Sequence, residues 1–240
     1  MKFILLLAFS VSAHGISAQI GLKDLKNVTK DRAQKLVSSK ALSADEVSRG
    51  LKEALIVGVS NSVITASEKG GFNENFLIKI PFPPQAEKMK KTLSKLGKES
   101  EIKNFEYAIN EAAEHASKSA KVIFLNAIKD MTINDAIDLL NGSNHAATDY
   151  LKNQTSKPLY LNFKPIVKES IKKVRLAVYW RALTSTYNSI PLTKDINPDI
   201  EGYVTNKTID GLFVLIAQEE EKIRNNPQAR VSEILQKVFR

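Results

Sequence analysis

The sequence predicts an all-α fold, a single-domain helical bundle of about eight helices with no sheet of consequence. Apolar residues recur at helical spacing through most of the chain. The clearest run is Val47, Leu51, Leu55, Val59 and Val63. Strand-like alternation occurs only briefly, over 76–82 and 159–163. Hydrophobic residues make up 43% of the 240 positions, which is enough to bury a substantial core.

The first residues have the pattern of a secretory signal peptide. Lys2 precedes an apolar run over 3–11, and small residues such as Ala13 and Ala18 follow it. We expect a signal peptide over 1–18, a flexible or frayed lead over 19–42 and a helical domain over 43–240. The apolar run is about half the ~20 residues that a membrane-spanning helix needs. The mature chain is therefore expected to lack a transmembrane segment and to be periplasmic or extracellular.

The first helix begins at a capping box formed by Ser43 and Glu46. Its four-residue apolar repeat extends to about Ser67. Gly50 and Gly58 lie within it, where each glycine costs roughly 1 kcal/mol of helix stability. Their presence predicts that a neighbouring helix approaches closely.

Prolines, glycines and capping residues delimit the middle elements. Pro84 is placed to start a short helix, Ser100 to cap the next one, and Thr132 to cap a helix over 133–140. The pattern from 144 to 187 is helical, with interruptions expected at Pro158 and Pro165.

The last third of the chain predicts two further helices. Asp199 is expected to cap a long helix that ends near Arg224, and 231–239 forms a short amphipathic one.

A ridge of basic residues is predicted on the helix that follows Pro165. Lys164, Lys168, Lys172 and Arg175 share one side of it at about 100° per residue. Such a ridge either solubilises an exposed face or contacts an anionic envelope surface. Nucleic acid is an unsuitable partner, because the chain is expected to be exported and no stacking aromatic residues are interleaved with the ridge.

The same helical count directs Arg181 towards the buried side of its helix. A buried guanidinium requires a carboxylate partner. Asp210 or Glu220 is expected to supply it, as a structural ion pair or as part of a ligand cavity.

Several segments resemble a bacterial family, domain of unknown function 4197. They are Gly50–Leu55, Ile80–Pro83, Met131–Thr132, Ala146–Tyr150 and a specific C-terminal block from Tyr203 to Arg230. The resemblance covers nearly all of 43–240. It implies an exported helical bacterial protein of no established activity, and it supplies no catalytic residue.

Enzymatic and metal-binding chemistry has little support in the sequence. The chain has no cysteine, which excludes disulfides and thiolate sites, and it has no Gly-x-Ser-x-Gly motif. Two histidine–carboxylate pairs at four-residue spacing could ligate a metal; they are Glu111 with His115 and His145 with Asp149. No metal or other cofactor is predicted.

A two-carboxylate hydrolase needs no motif, so it remains an alternative. Its candidate acids are Glu106, Glu111, Glu114, Glu219 and Glu220.

With Lys+Arg 35 against Asp+Glu 26, the formal charge is +9. The expected function is a non-catalytic binding or envelope-support module that acts through the basic helix face or an inter-helical groove. Its partner would be an anionic envelope surface or another envelope protein. The alternative is a carboxylate-dependent hydrolase acting on envelope carbohydrate.

Overall fold

The computed structural model describes residues 42–194 and 196–240. The predicted signal peptide over 1–18 lies outside these residues, as does all of the predicted lead except Leu42. The described residues form nine α-helices and no strand, which confirms the all-α prediction. In chain order the helices are α1 (Ala44–Ser67), α2 (Glu87–Lys95), α3 (Glu99–Ser117), α4 (Ala120–Asp130), α5 (Ala136–Leu140), α6 (Ala146–Lys173), α7 (Leu176–Asn188), α8 (Ile200–Asn225) and α9 (Glu233–Val238).

The first and eighth helices begin where local chemistry predicts. The Ser43 hydroxyl accepts a hydrogen bond from the Glu46 backbone N–H, while the Glu46 carboxylate accepts one from the Ser43 N–H. Asp199 caps α8 by accepting from the Gly202 N–H at 2.8 Å. Both starts are therefore fixed by side chains within one turn of the helix.

The long helices α1, α3, α6 and α8 form the centre of the bundle. α1 packs against α8 and against the C-terminal helix α9. A Cβ added to Gly50 would lie 2.6 Å from Val238 Cγ2, whereas one on Gly58 would lie 3.5 Å from its nearest neighbours on α8. The predicted close approach is thus confirmed at Gly50, and Gly58 has ordinary van der Waals spacing.

A loop after α1 buries part of its apolar sequence without forming a strand. Ile80 is 1% exposed, and its N–H and C=O both bond to the side chain of Asn110 on α3, at 2.7 and 2.9 Å. One helical turn further along, a Glu114 carboxylate oxygen accepts the Phe72 and Asn73 N–H groups, each at 3.1 Å. These side-chain bonds replace the strand pairing that the sequence alternation would otherwise need.

The loop is also anchored from α8. Burial, and then the charge of Glu87, raises the pKa of Tyr203 to about 12. Its hydroxyl keeps its proton and donates to the Pro81 carbonyl at 2.9 Å.

The sixth helix differs from prediction, because it runs without interruption through Pro158 and Pro165. The segment 159–163, whose sequence alternates like that of a strand, lies within this continuous helix and is helical. The break comes instead at Arg175, whose φ of 57° is left-handed and separates α6 from α7.

Two predicted caps are also displaced. α3 begins at Glu99, so Ser100 lies inside it, and the helix assigned to a Thr132 cap begins at Ala136. Among the helices described, none combines the length and apolar character required to cross a bilayer.

Candidate functional site

A groove of about 780 Å³ lies between α4 and α6 and is the candidate site. The two helices are antiparallel neighbours: the Tyr150 hydroxyl, near the start of α6, bonds the Thr132 carbonyl after the end of α4 at 2.7 Å. We call this feature the α4–α6 groove. Its lining residues are Ile123, Asn126, Ala127, Asp130, Met131, Thr132, Asn134, Tyr150, Gln154, Thr155, Pro158, Leu159, Asn162 and Ile166.

Uncharged amides and aliphatic side chains dominate the lining of the groove. Asn126, Asn134, Gln154 and Asn162 each offer both a hydrogen-bond donor and an acceptor. Apart from Tyr150 the apolar side chains are aliphatic, and Asp130 is the single carboxylate among the described lining residues. The volume is in the range of small-molecule sites, and the lining combines hydrogen-bonding amides with apolar side chains.

The two prolines of α6 add backbone acceptors along this face. Proline has no N–H, so Pro158 cannot bond the Gln154 carbonyl and Pro165 cannot bond that of Leu161. Pro158 lines the groove, and Pro165 lines the cavity beyond it. The prolines are seven residues apart, so they lie on nearly the same side of the helix and about 10.5 Å apart along its axis.

A second cavity, of about 380 Å³, continues the groove towards the end of α6. Ile166 lines both cavities, and His115, Glu169 and Lys173 bring titratable groups to the second. Glu169 pairs with Lys172 at 2.7 Å. This contact, followed by the charges of Lys172 and its neighbouring lysines, lowers the pKa of Glu169.

The predicted basic ridge occupies a different side of α6. Lys164 and Lys168 lie about 120–160° around the helix from the groove residue Asn162. Lys168, Lys172 and Arg175 are exposed, and Lys164 is half-buried. Lys172 already pairs with Glu169, which reduces the free positive charge of the ridge.

Lys164 makes contacts outside the basic ridge. Its ammonium lies 5.6 Å from the centre of the Tyr160 ring and 3.9 Å from the Asp199 carboxylate. Contact with Tyr160, and then the charge of Asp199, raises the pKa of Lys164.

Arg181 requires a correction, because it is exposed on α7 and not buried. The helical count that placed it inside assumed one helix from 165 to 187, but the left-handed turn at Arg175 resets the phase. Asp210 pairs instead with Lys152 at 3.1 Å, and both side chains are about half exposed.

Glu220 does form a buried ion pair, but with Arg224. The Nη2 to Oε1 distance is 2.7 Å, and the two side chains are 8% and 1% exposed. Glu220 also accepts the Ala147 N–H at 3.0 Å and the Thr148 N–H at 2.7 Å, while Arg224 donates to the Leu140 carbonyl at 2.7 Å. The pair therefore joins α8 to the start of α6 and the end of α5.

This network lies within the segments that carry the family resemblance, Ala146–Tyr150 and the C-terminal block. A family model described as "Protein of unknown function (DUF4197)" matches residues 41–240. The chain belongs to the DUF4197 family. No curated protein and no solved structure gives a significant match.

In this DUF4197 member four of the five candidate catalytic acids have other partners. Glu106 pairs with Lys90 at 2.6 Å, and Glu219 bonds Asn61 at 2.6 Å. Glu114 accepts the two backbone N–H groups of the loop after α1, and Glu220 lies in the buried network. Glu111 is half-buried on α3.

The two histidine–carboxylate pairs remain separate in this DUF4197 member. His145 Nδ1 lies 2.7 Å from an Asp149 carboxylate oxygen on the exposed start of α6. Glu111 and His115 lie on α3. Within 42–194 and 196–240, no three histidine or carboxylate side chains come together as metal ligands would.

Sequence reasoning missed the groove, because nothing in the order of residues pairs α4 with α6. A signal does exist on α6: Tyr150, Gln154, Pro158, Asn162 and Ile166 recur every four residues. A stripe that mixes amides, a proline and apolar residues fits neither a core face nor an ordinary solvated face.

Proposed function

We propose that this DUF4197 protein is a non-catalytic, exported binding module whose ligand occupies the α4–α6 groove. The observation that carries the proposal is the lining: within the part of the chain that the structure describes, it combines four amide side chains with aliphatic ones and has Asp130 as its single carboxylate. Such a surface can hydrogen-bond a neutral polar ligand and cover its apolar parts. The alternative function, glycoside hydrolysis, would require two facing carboxylates about 5–10 Å apart, whereas the described lining supplies one.

A variant in which a large side chain fills the groove tests the proposal. Asn162 is exposed and lines the groove, so Asn162→Trp introduces a large side chain into it. Leu161→Trp is the matched control, because Leu161 is 63% exposed on the same helix and is not part of the lining. Binding is measured by the chemical shifts of the ¹⁵N-labelled protein against short neutral peptides and neutral oligosaccharides at millimolar concentration.

We expect a member of this panel to shift the groove signals, with binding lost in Asn162→Trp and kept in Leu161→Trp. The proposal is wrong if no panel member binds, or if Asn162→Trp binds as the unmodified protein does. Circular dichroism of both variants checks that each retains the helical fold.

Export is part of the same proposal and has its own test. It rests on Lys2 and the short apolar run over 3–11. Mass spectrometry of the protein expressed in a bacterial host should show a chain that begins at or near residue 19. An intact Met1 on the accumulated protein would contradict export.

The basic ridge is a second candidate contact, for an anionic envelope surface. The exposure of Lys168, Lys172 and Arg175 supports it, and the pairing of Lys172 with Glu169 weakens it. Charge reversal at Lys164, Lys168, Lys172 and Arg175 should abolish sedimentation with vesicles that contain anionic lipid. Unchanged sedimentation would exclude the ridge as a lipid contact.

A further inference from the structure

We propose that the ligand of the α4–α6 groove is an extended peptide whose carboxylate end lies at Lys173. This inference rests on the proposed function of the groove and adds the chemical class and direction of its ligand. Three observations carry it: the spacing of polar groups along α6, the aliphatic floor, and the charges at the two ends.

The polar groups along α6 match the repeat of an extended chain. The amide side chains of Gln154 and Asn162 are eight residues, or about 12 Å, apart along the helix axis, with the apolar Pro158 between them. Backbone groups on one edge of an extended peptide recur every two residues, or about 6.6–6.8 Å. Two repeats of an extended peptide span about 13 Å, so backbone groups of the peptide can reach both Gln154 and Asn162.

The same wall offers acceptors that a peptide backbone can use. Pro158 deprives the Gln154 carbonyl of its helical donor, and both residues line the groove. A peptide N–H is a suitable replacement donor. The side-chain amides of Asn126 and Asn162 can pair with the peptide in both directions, because an amide both donates and accepts.

The floor of the groove favours a peptide over a glycan. Ile123, Ala127, Met131 and Leu159 form an aliphatic surface onto which every second side chain of an extended peptide can pack. Sugar rings bind best against the flat face of an aromatic side chain. Of the lining residues in 42–194 and 196–240, Tyr150 is the one aromatic, and its hydroxyl already bonds the Thr132 carbonyl at 2.7 Å.

The charges at the two ends set the direction of the peptide. Asp130 belongs to the groove, whereas Lys173 and His115 line the cavity that continues it. Lys173 lies only about 20° around α6 from Asn162, on the groove side of the helix. Glu169 shares this cavity and pairs with Lys172 at 2.7 Å, and the charge of Lys173 also lowers the pKa of Glu169. In the proposed complex the ligand carboxylate binds the Lys173 ammonium beside this Glu169–Lys172 pair.

The probe is an acetylated octapeptide of alternating valine and serine, prepared as the free acid and as the amide. Eight extended residues span about 26 Å, and α6 rises about 28 Å from Gln154 to Lys173. The side-chain NH₂ signals of Asn126 and Asn162 in the ¹⁵N-labelled protein report occupancy, and chitotetraose serves as the glycan probe.

We expect the free acid to bind about three- to five-fold more tightly than the amide, the effect of one partly exposed ion pair. Lys173→Gln should reduce this ratio to about one. Lys168→Gln removes the same charge from the solvent-facing side of α6 and should leave the ratio unchanged.

The outcomes separate this inference from the proposed function. If acid and amide bind the groove equally, the carboxylate position at Lys173 is wrong and the groove remains a binding site. If chitotetraose binds and both peptides fail, the ligand class is wrong. If no probe binds, or if peptide binding survives Asn162→Trp, both the inference and the proposed function are wrong.

Discussion

Glu220 and Arg224 form an ion pair in the interior of the protein, one helical turn apart on α8, with 2.7 Å between Oε1 and Nη2. Both residues of the pair also bond the ends of neighbouring helices. Glu220 receives the first N–H groups of α6, and Arg224 donates to the Leu139 and Leu140 carbonyls at the end of α5. The pair thus satisfies helix ends that would otherwise be buried without partners.

Glu220→Ala should lower the free energy of unfolding by about 3–5 kcal/mol, because it leaves a buried guanidinium and two buried N–H groups without their acceptor. Urea denaturation followed by circular dichroism measures the change. Glu221→Ala is the matched control, since Glu221 is exposed, and it should change stability by less than about 0.5 kcal/mol. Equal stability of the two variants would contradict a structural role for the pair.

The sequence predicts those parts of the fold that depend on neighbouring residues. Ser43 with Glu46, and Asp199 with Gly202, are local hydrogen-bonding pairs, and both helix starts are confirmed. The prediction that Arg181 faces the interior is wrong, because one residue, Arg175, adopts a left-handed conformation that apolar periodicity does not reveal.

The groove depends on relationships that are distant in sequence. Ile123 and Asn162 share its lining only because α4 and α6 pack antiparallel. The continuity of α6 through Pro158 and Pro165 is likewise a tertiary effect, because packing against other helices outweighs the local cost of each proline. Local sequence patterns predict neither the packing of α4 against α6 nor the continuity of α6 through its prolines.

Substitution by alanine should lower the free energy of unfolding at Gly50 but not at Gly58. The Cβ of Gly50→Ala would lie 2.6 Å from Val238 Cγ2, so α9 must move, at a cost of about 1–3 kcal/mol in unfolding free energy. Gly58→Ala meets nothing closer than 3.5 Å and should gain up to about 1 kcal/mol from helix propensity. Urea denaturation measures both.

Val238 supplies a control for the Gly50 variant. The double variant Gly50→Ala with Val238→Ala should lose less stability than the sum of the two single losses, because the second change removes the clashing methyl groups. Additive losses would mean that the contact with Val238 does not account for the requirement for glycine.

Asn110 should hold the loop that follows α1. In Asn110→Ala the buried N–H and C=O of Ile80 lose their partners, at about 1–3 kcal/mol. Hydrogen exchange of the Ile80 amide should then accelerate roughly 10–100-fold. Asn104→Ala, on the exposed side of the same helix, should leave this exchange unchanged. Unaltered exchange in Asn110→Ala would show that packing alone holds the loop.

The contact between α1 and α9 should weaken in acid. The hydrogen bond from Lys237, followed by that from the Ser43 N–H, lowers the pKa of Glu46 to about 2. A carboxylate with a depressed pKa stabilises the fold fully above its ordinary value of 4.5, and this contribution disappears as the pH falls towards 2.

The stability difference between the unmodified protein and Lys237→Gln should therefore be present at neutral pH and shrink as the pH falls from about 4.5 towards 2. Guanidinium chloride titrations across this range measure it. Lys95→Gln, at an exposed lysine on α2, should show no such pH-dependent difference. A constant difference for Lys237→Gln would exclude Glu46 as the titrating partner.

The variant Arg175→Gly should be more stable than Arg175→Ala, whereas inside a helix an alanine variant is more stable than the glycine variant. Its φ of 57° places the β-carbon near the following carbonyl, which costs a non-glycine residue about 1–2 kcal/mol. Glycine avoids this contact but loses more backbone entropy on folding, so Arg175→Gly should exceed Arg175→Ala in unfolding free energy by about 0.5–1 kcal/mol.

Lys168 provides the comparison, because it is exposed in the regular part of α6. There Lys168→Gly should be less stable than Lys168→Ala by about 1 kcal/mol. Comparing glycine with alanine at each position removes the effect of the lost side-chain charge. If alanine is favoured at both positions, the chain does not turn at Arg175, α6 continues into α7, and the exposure of Arg181 loses its structural explanation.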